Sequence, residues 1–109
     1  KAHQYRARLL ESFLAVFEDV DVIVNPTVAF EAPAEDPVVA AGEGSDEARR
    51  TGIYNLTGLP AVTVPCGFGQ DNLPLGLQFA GKPMAEAVIL QAAYAYEQAA
   101  GWYNQHPKI

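Results

Sequence analysis

The one cysteine of the chain, Cys66, is a candidate for nucleophilic chemistry. A thiolate nucleophile needs a base within hydrogen-bond reach, and the two histidines, His3 and His106, lie near opposite ends of the sequence. Folding could bring one of those ends close to the thiol. A small buried residue at a strand end is nevertheless the favoured interpretation, because free cysteines are commonly interior. We therefore expect Cys66 to be structural.

Two acidic pairs, Glu35-Asp36 and Asp46-Glu47, have the residue types of a general acid and base. Both lie in a polar stretch, where charges usually solvate loops and helix starts, so a structural role is favoured. The segment Gly42-Glu43-Gly44 resembles part of a phosphate-binding loop. It lacks the third glycine, no strand precedes it, and its carboxylates would repel phosphate, so we expect no phosphate site there.

The elements that would position these residues follow the order helix, strand, helix, strand, strand, helix. Apolar residues from Tyr5 to Val20 recur at three- and four-residue spacing, which predicts an amphipathic helix packed on a core. The β-branched run at 21–25 does not alternate, which predicts a strand covered on both faces. Ser45 followed by two acids predicts a capped helix that continues to about Tyr54.

The second half of the chain has the pattern of a hairpin followed by a helix. The segments Ala61 to Phe68 and Leu73 to Gly81 are separated by a short loop of turn residues, which predicts antiparallel pairing. Alternation in the second segment predicts one heavily buried face. Pro65 should sit at a bulge or an unpaired edge position, because it cannot donate to the ladder. The apolar helix from Glu86 to Ala100 should end at Gly101 in the left-handed conformation.

The predicted fold class is α/β, with a mixed sheet and flanking helices. If the first strand and the segment 61–68 share a sheet, the helix between them makes a parallel crossover, and the hairpin supplies the antiparallel part. The segment 28–44 is rich in alanine, proline and acid, which predicts a surface loop that could border a substrate entrance. A length of 109 residues fits one domain.

Three motifs resemble the carboxyl-terminal part of amidase signature family enzymes. Asn55 to Phe68 (NLTGLPAVTVPCGF) is similar to the family pattern N-x-x-G-x-P-A-x-x-V-P-x-G. Leu73 to Gln78 is similar to its Leu-Pro-x-Gly-Leu-Gln strand, and 21–27 is similar to its D-x-x-x-x-P-T strand. In the family, as in this chain, an apolar helix follows these motifs. The resemblance covers nearly the whole chain, and its specificity lies in the joint order of these motifs.

The resemblance implies a parent enzyme that hydrolyses carbon–nitrogen amide bonds. Such enzymes use a serine nucleophile activated by a second serine and a lysine, with backbone donors for the oxyanion and no metal or organic cofactor. One of those serines lies in a Gly/Ser-rich segment, whereas the serines here are Ser12 and Ser45, outside any such run. The lysines, Lys1, Lys82 and Lys108, lie near the ends or after the hairpin. We therefore expect no catalytic residue in this chain and no amidase activity from it alone.

Three residues are candidates for substrate binding by this resemblance. Pro26 and Thr27 end the D-x-x-x-x-P-T motif and would approach the bound amide; the alternative is a strand end whose hydroxyl bonds local backbone. Asn55 begins the turn with Gly58, which we expect to form a pocket wall. Alternatively, Asn55 and Thr57 satisfy nearby backbone while Gly58 takes an unusual dihedral.

Charge and composition limit the partners. A formal charge of −6 with one basic pair, Arg49-Arg50, disfavours a nucleic-acid surface. No stretch has the ~20 apolar residues needed to span a bilayer, and the start lacks the apolar core of a secretion signal. We therefore expect a cytoplasmic protein without a membrane partner. One cysteine excludes an internal disulfide and a multi-cysteine metal cluster.

The chain begins at Lys1 inside a helical pattern rather than at a methionine. We therefore expect a single C-terminal amidase region, 1–109, that lacks the upstream catalytic core. Its expected partners are that upstream region and a small-molecule amide substrate in the full enzyme. Bare contact faces also predict self-association of the fragment, through the hairpin edge or the helix Glu86 to Ala100.

Two alternatives stay open. Enzymes that transfer ammonia onto misacylated transfer RNA share the signature, so the chain could be part of the amidase subunit of a tRNA-dependent amidotransferase. Its acidic charge disfavours this. The other alternative is a stand-alone interaction module whose apolar terminal helix binds a partner.

Overall fold

The computed structural model describes residues 2–33 and 48–105. Its helices, numbered in chain order, are α1 (Ala2–Val16), α2 (Gly52–Thr57) and α3 (Glu86–Ala100); its strands are β1 (Val22–Pro26), β2 (Ala61–Phe68) and β3 (Pro74–Gly81). A 3-10 turn, Trp102–Asn104, follows α3. The order of these elements is the predicted one. The predictions for Glu35-Asp36, for 42–47 and for His106 lie outside the described residues.

The described strands form one sheet in the order β1-β3-β2. β3 pairs antiparallel with both neighbours, so β1 and β2 run in the same direction without touching. The α/β class, the flanking helices and the hairpin are confirmed. The expected mixed sheet is corrected for the described strands, which pair only antiparallel. The reason is that the second arm of the hairpin lies between β1 and β2, where a parallel pair would have formed.

Helices cover both faces of the central strand. On one face, Ala80 of β3 joins Phe17, Tyr54 and Leu59 in a buried cluster, against which residues of α1 and α2 pack. On the other face, Phe79 and Val64 pack against Ile89 and Ala93 of α3. Burying these side chains contributes about 1.5–3 kcal/mol for each large apolar residue. The sheet is therefore the middle layer of three.

This layering corrects two expectations about strand burial. β1 is not covered on both faces as expected, because it is an edge strand and Val24 is 49% exposed. β3 does not have the expected single buried face, because all four residues at 78–81 are buried. Both differences have the same cause: β3, and not β1, is the central strand.

The backbone features expected from proline and glycine are in place. The register of β2 against β3 shifts between Pro65 and Gly67, so β2 bulges at Cys66 next to the proline. Gly101 ends α3 at φ 71°, and its N–H donates to the carbonyl of Glu97 at 2.9 Å. The expected hairpin bulge and left-handed helix stop are thus confirmed.

In the described parts of the chain, no helix combines the length and apolar character that a membrane crossing requires. Nor do three or more His, Cys, Asp or Glu side chains of these parts lie together as metal ligands would.

Candidate functional site

A cleft of about 450 Å³ opens where β1 ends and the hairpin begins. It is lined by residues 28–30 and 75–77 and by Pro26, Glu31, Arg50 and Cys66. Three segments that are distant in sequence therefore form it: the end of β1 with the residues after it, the bulge of β2 with the start of β3, and the turn before α2. Most of the lining contributed by the described residues is apolar, with one acidic and one basic side chain among them.

Two of the three predicted substrate-binding residues lie at this cleft or beside it. Pro26 lines it. Thr27 follows directly, and its backbone N–H donates to the carbonyl of Gly76 at 2.9 Å. The hydroxyl of Thr27 donates to Oγ1 of Thr63 on β2 at 3.1 Å. Thr27 is thus held by both arms of the hairpin, although its hydroxyl bonds a side chain rather than local backbone.

The contact between these threonines depends on Gly76 of the intervening strand. A Cβ atom at Gly76 would lie 2.8 Å from Oγ1 of Thr27 and 2.9 Å from Cγ2 of Thr63, closer than real Cβ contacts. A side chain there would therefore displace one or both threonines. The glycine in the Leu-Pro-x-Gly-Leu-Gln motif has a packing role, because it lets the side chains of Thr27 and Thr63 meet across β3.

The third predicted residue, Asn55, does not line the cleft. It lies exposed on α2, so the expected turn at 55–57 is corrected to the last part of a helix that ends at Gly58. Gly58 takes the expected unusual dihedral, φ 75°. The hydroxyl of Thr57 donates to the carbonyl of Ile53 at 2.8 Å, as expected for a residue that satisfies nearby backbone. The sequence pattern places the end of this helix too early, because Asn and Thr are also common turn residues.

Cys66 lies at the bulge of β2, is half-buried and lines the cleft. The expected buried residue at a strand end is therefore corrected. The bulge turns Cys66 toward the cleft, because the extra residue has no partner on β3. Among the described residues, none makes a hydrogen bond with its sulfur. The residues that the structure describes therefore provide no base that would activate the thiol.

Glu31 connects the wall of the cleft to the hairpin loop. Its carboxylate oxygens accept hydrogen bonds from the backbone N–H groups of Gln70 and Asp71, the latter at 3.1 Å. Gly69, at the start of the same loop, leaves room for this carboxylate, which a Cβ there would overlap. Glu31 thus fixes the segment after β1 against the hairpin. The sequence offered no signal for this, because the partners are backbone groups about 40 positions away.

Arg50 is the basic residue of the cleft. Sequence reasoning treats the pair Arg49-Arg50 only as an isolated basic pair, and the structure places Arg50 beside apolar walls. Within 2–33 and 48–105, no residue forms a hydrogen bond or an ion pair with its guanidinium. Sequence reasoning missed this residue, because nothing in an isolated basic pair indicates which cavity it will face.

A polar network lies behind β1, on the face covered by α1 and α2. The hydroxyl of Tyr54 donates to Oδ1 of Asn25 at 2.8 Å, and Nδ2 of Asn25 donates to the buried Gln78 at 3.4 Å. Burial raises the pKa of the Tyr54 phenol above its usual value. The network joins α2, β1 and β3, so it sets the position of the strand that carries Pro26.

The family model for amidases matches residues 1–90, which include all three strands and reach into α3. The chain belongs to the amidase family. A curated relative, the A subunit of the glutamyl-tRNA(Gln) amidotransferase of Thermodesulfovibrio yellowstonii, is 43% identical over 116 residues that cover the whole chain and 23% of the relative. The corresponding subunit from a Cyanothece strain is 39% identical with equal coverage.

Solved structures agree with this assignment to the amidase family. The A subunit of the Thermotoga maritima glutamyl-tRNA(Gln) amidotransferase matches with a TM-score of 0.74 at 28% identity, over 91% of this chain and 22% of that one. A bacterial aryl acylamidase of the amidase signature family matches with a TM-score of 0.70 at 26% identity, over 91% of this chain and 22% of that one. The family resemblance of the motifs is thus confirmed. This amidase-family chain spans about 23% of the length of the curated relatives it matches.

Proposed function

We propose that this chain is the C-terminal region of an enzyme that hydrolyses carbon–nitrogen amide bonds, and that its cleft forms one wall of the amide-binding pocket. The observation that carries the proposal is that Pro26 of the family motif lines the cleft, while the next residue, Thr27, is hydrogen-bonded to the hairpin beside it. The serine nucleophile, the second serine and the lysine would come from the upstream region of the same protein. Residues 1–109 would thus form one region that lacks the catalytic core.

The first test compares the full-length protein with residues 1–109. Ammonia release from a panel of primary amides is measured for both. We expect activity from the full-length protein and none from the isolated chain, because the nucleophile and its activating groups are absent from the latter. Ammonia release by the purified 109-residue chain, lost on heating, would contradict the assignment of the chemistry to the upstream region.

The second test addresses the proposed pocket wall in the full-length protein. Thr27→Ala removes a hydroxyl that we propose contacts the substrate, and it also removes the bond to Thr63. Thr63→Ala is the matched control, because it breaks the same bond but leaves the Thr27 hydroxyl. We expect Thr27→Ala to raise KM for amides by about tenfold, and Thr63→Ala to change it little. Equal effects would assign Thr27 a purely structural role.

Asn55 is tested separately, because it lies on α2 and outside the described lining of the cleft. We include it in the proposed pocket wall only through the family motif that it begins. Asn55→Ala in the full-length protein should raise KM for the same amides while leaving thermal stability unchanged, since its side chain is exposed. An unchanged KM would remove Asn55 from the pocket.

A second candidate function is the ammonia-producing subunit of a tRNA-dependent amidotransferase. It is supported by the A subunits of glutamyl-tRNA(Gln) amidotransferases, which match the whole chain at 36–43% identity. The formal charge of −6 gives this region little attraction for a transfer RNA. Adding Glu-tRNA(Gln), ATP and the other subunits would separate the candidates. Conversion to Gln-tRNA(Gln) would favour the amidotransferase, and release of free ammonia alone would favour a hydrolase.

The proposal also predicts how the isolated chain behaves in solution. Leu90 and Tyr94 on the outer side of α3 are 56% and 63% exposed, and β1 has an unpaired edge among the described strands. In the full-length protein the upstream region would cover such surfaces. The 109-residue chain should therefore self-associate in sedimentation experiments. A monomer at all concentrations would favour a stand-alone module.

A further inference from the structure

Two charged side chains among the described residues line the cleft, Glu31 and Arg50, and they differ in how many of their hydrogen-bonding groups are free to bind a ligand. The carboxylate of Glu31 already accepts two backbone hydrogen bonds from the hairpin loop, at Gln70 and Asp71. Those bonds neutralise part of its ability to attract a cation, because backbone donors occupy its oxygens. Glu31 therefore serves to hold the wall of the cleft in place rather than to bind a positively charged group.

The guanidinium of Arg50 forms no hydrogen bond or ion pair within the described parts of the chain. It lines a cleft whose other walls are mostly apolar, including Val28, Phe30 and Leu75. A guanidinium offers several N–H donors in a planar arrangement that matches the two oxygens of a carboxylate. Arg50 is exposed, so its guanidinium is accessible to a ligand in the cleft, and the apolar side chains beside it reduce the competition from water for a charged hydrogen bond. The cleft thus combines one anion-binding group with space for an apolar chain.

We propose that Arg50 determines substrate specificity by binding a carboxylate of the amide substrate, whose apolar linker lies along the cleft walls. This inference rests on the proposed function, since it assumes that the cleft is part of the amide-binding pocket. The substrate class is then an ω-amide of an aliphatic acid, with the scissile amide at one end and the anion at the other. The formal charge of −6 on these residues disfavours an approaching anion, and the positive charge of Arg50 offsets this locally.

The experiment compares two primary amides of equal length in the full-length protein. Glutaramate carries a carboxylate at the end opposite its amide, and 5-methylhexanamide replaces that carboxylate by an uncharged isopropyl group of similar shape. Wild-type protein should have the lower KM for glutaramate. The variant Arg50→Met should raise that KM about tenfold to a hundredfold, as expected for a lost hydrogen bond to a charged group. The KM for 5-methylhexanamide should stay within about twofold.

Two further variants make the comparison specific. Arg50→Lys keeps the charge but loses the planar donor arrangement, so it should restore part of the affinity for glutaramate. Arg8→Met removes a positive charge from the exposed side of α1, away from the cleft lining, and should change neither KM. Added salt should raise the KM for glutaramate in the wild type, and less in Arg50→Met.

Equal changes in KM for both amides after Arg50→Met would overturn the inference while leaving amide hydrolysis intact. If the full-length protein hydrolyses no amide, the proposed function fails. The anion site is then decided by equilibrium binding of glutarate. Binding that weakens at least about tenfold in Arg50→Met would support Arg50 as the anion-binding group. Binding equal in wild type and variant would refute it.

Discussion

Replacing Gly76 by alanine tests whether the sheet beside the cleft requires a position without a side chain. The new methyl group would come within 3.0 Å of atoms of Thr27 and Thr63, so at least one threonine must move. Inserting a methyl group into such a contact costs about 1–3 kcal/mol, and losing the hydrogen bond between the hydroxyls about 0.5–1.5 kcal/mol. The hydroxyls are partly exposed, which favours the lower values. We expect the free energy of unfolding to fall by about 2 kcal/mol.

Urea unfolding of the 109-residue chain, followed by far-ultraviolet circular dichroism at a concentration where sedimentation shows a monomer, measures this change. Gly52→Ala is the matched control, because a Cβ there meets only Ala48 at 3.7 Å, an ordinary contact. Because Gly52 is helical, its replacement by alanine should raise the free energy of unfolding by about 0.5–1 kcal/mol. In a protein that already carries both Thr27→Ala and Thr63→Ala, Gly76→Ala should lower the free energy of unfolding by less than about half of its effect in the wild type. An equal cost in both backgrounds would refute the close approach as the cause.

Three further predictions concern single side chains. Tyr54→Phe removes the donor to Asn25 and should cost about 1 kcal/mol at neutral pH. The pKa of Tyr54 is raised above 10.0 by burial, so the wild type keeps this stability below that pH and loses it as pH rises through the folded pKa; urea midpoints should show a smaller alkaline decline in the variant. Glu31→Ala should lower the melting temperature more than Glu31→Gln, because the amide oxygen still accepts one hydrogen bond; equal losses would count against the loop contact. Cys66→Ser in the full-length protein should leave amide hydrolysis within about threefold, and a loss of about a thousandfold would identify a thiol nucleophile.

The local elements of this fold are readable from sequence, because their causes are local. The bounds of α3 follow from a run of apolar helix formers and from Gly101, and those of the hairpin follow from two extended runs with turn residues between them. The position of a strand within the sheet has no local cause. The β-branched run of β1 suits a central strand, yet β1 lies at the edge of the described sheet, and β3 takes the central place. Strand order depends on which surfaces pack after the hairpin has formed.

The candidate site was predictable only where one short motif carries it. Pro26 and Thr27 belong to such a motif; Pro26 lines the cleft, Thr27 follows it beside the hairpin, and substrate binding by either residue stays a prediction. Arg50 and Glu31 come from separate segments, and each has a role only through groups far away in sequence. Asn55 begins a family motif, which predicts a place in the same wall, yet it lies on a helix outside the described lining. Motif membership therefore located the region of the site but not which side chains face it.

Under the proposed function, the same architecture would let this region influence which substrate is used while the catalytic groups lie in the upstream region. The walls of the cleft are held by interactions internal to these residues: Thr27 bonds both arms of the hairpin, and Glu31 bonds the hairpin loop. A pocket wall that is fixed in this way keeps its shape independently of the residues that attack the amide, which is what positioning of a substrate requires. Since Arg50 lines that wall from the turn before α2, the proposed specificity role predicts that changing this one residue alters substrate preference without altering the chemistry. Chemistry and specificity would thus reside in different segments of the enzyme, with specificity assigned to the segment described by this structure.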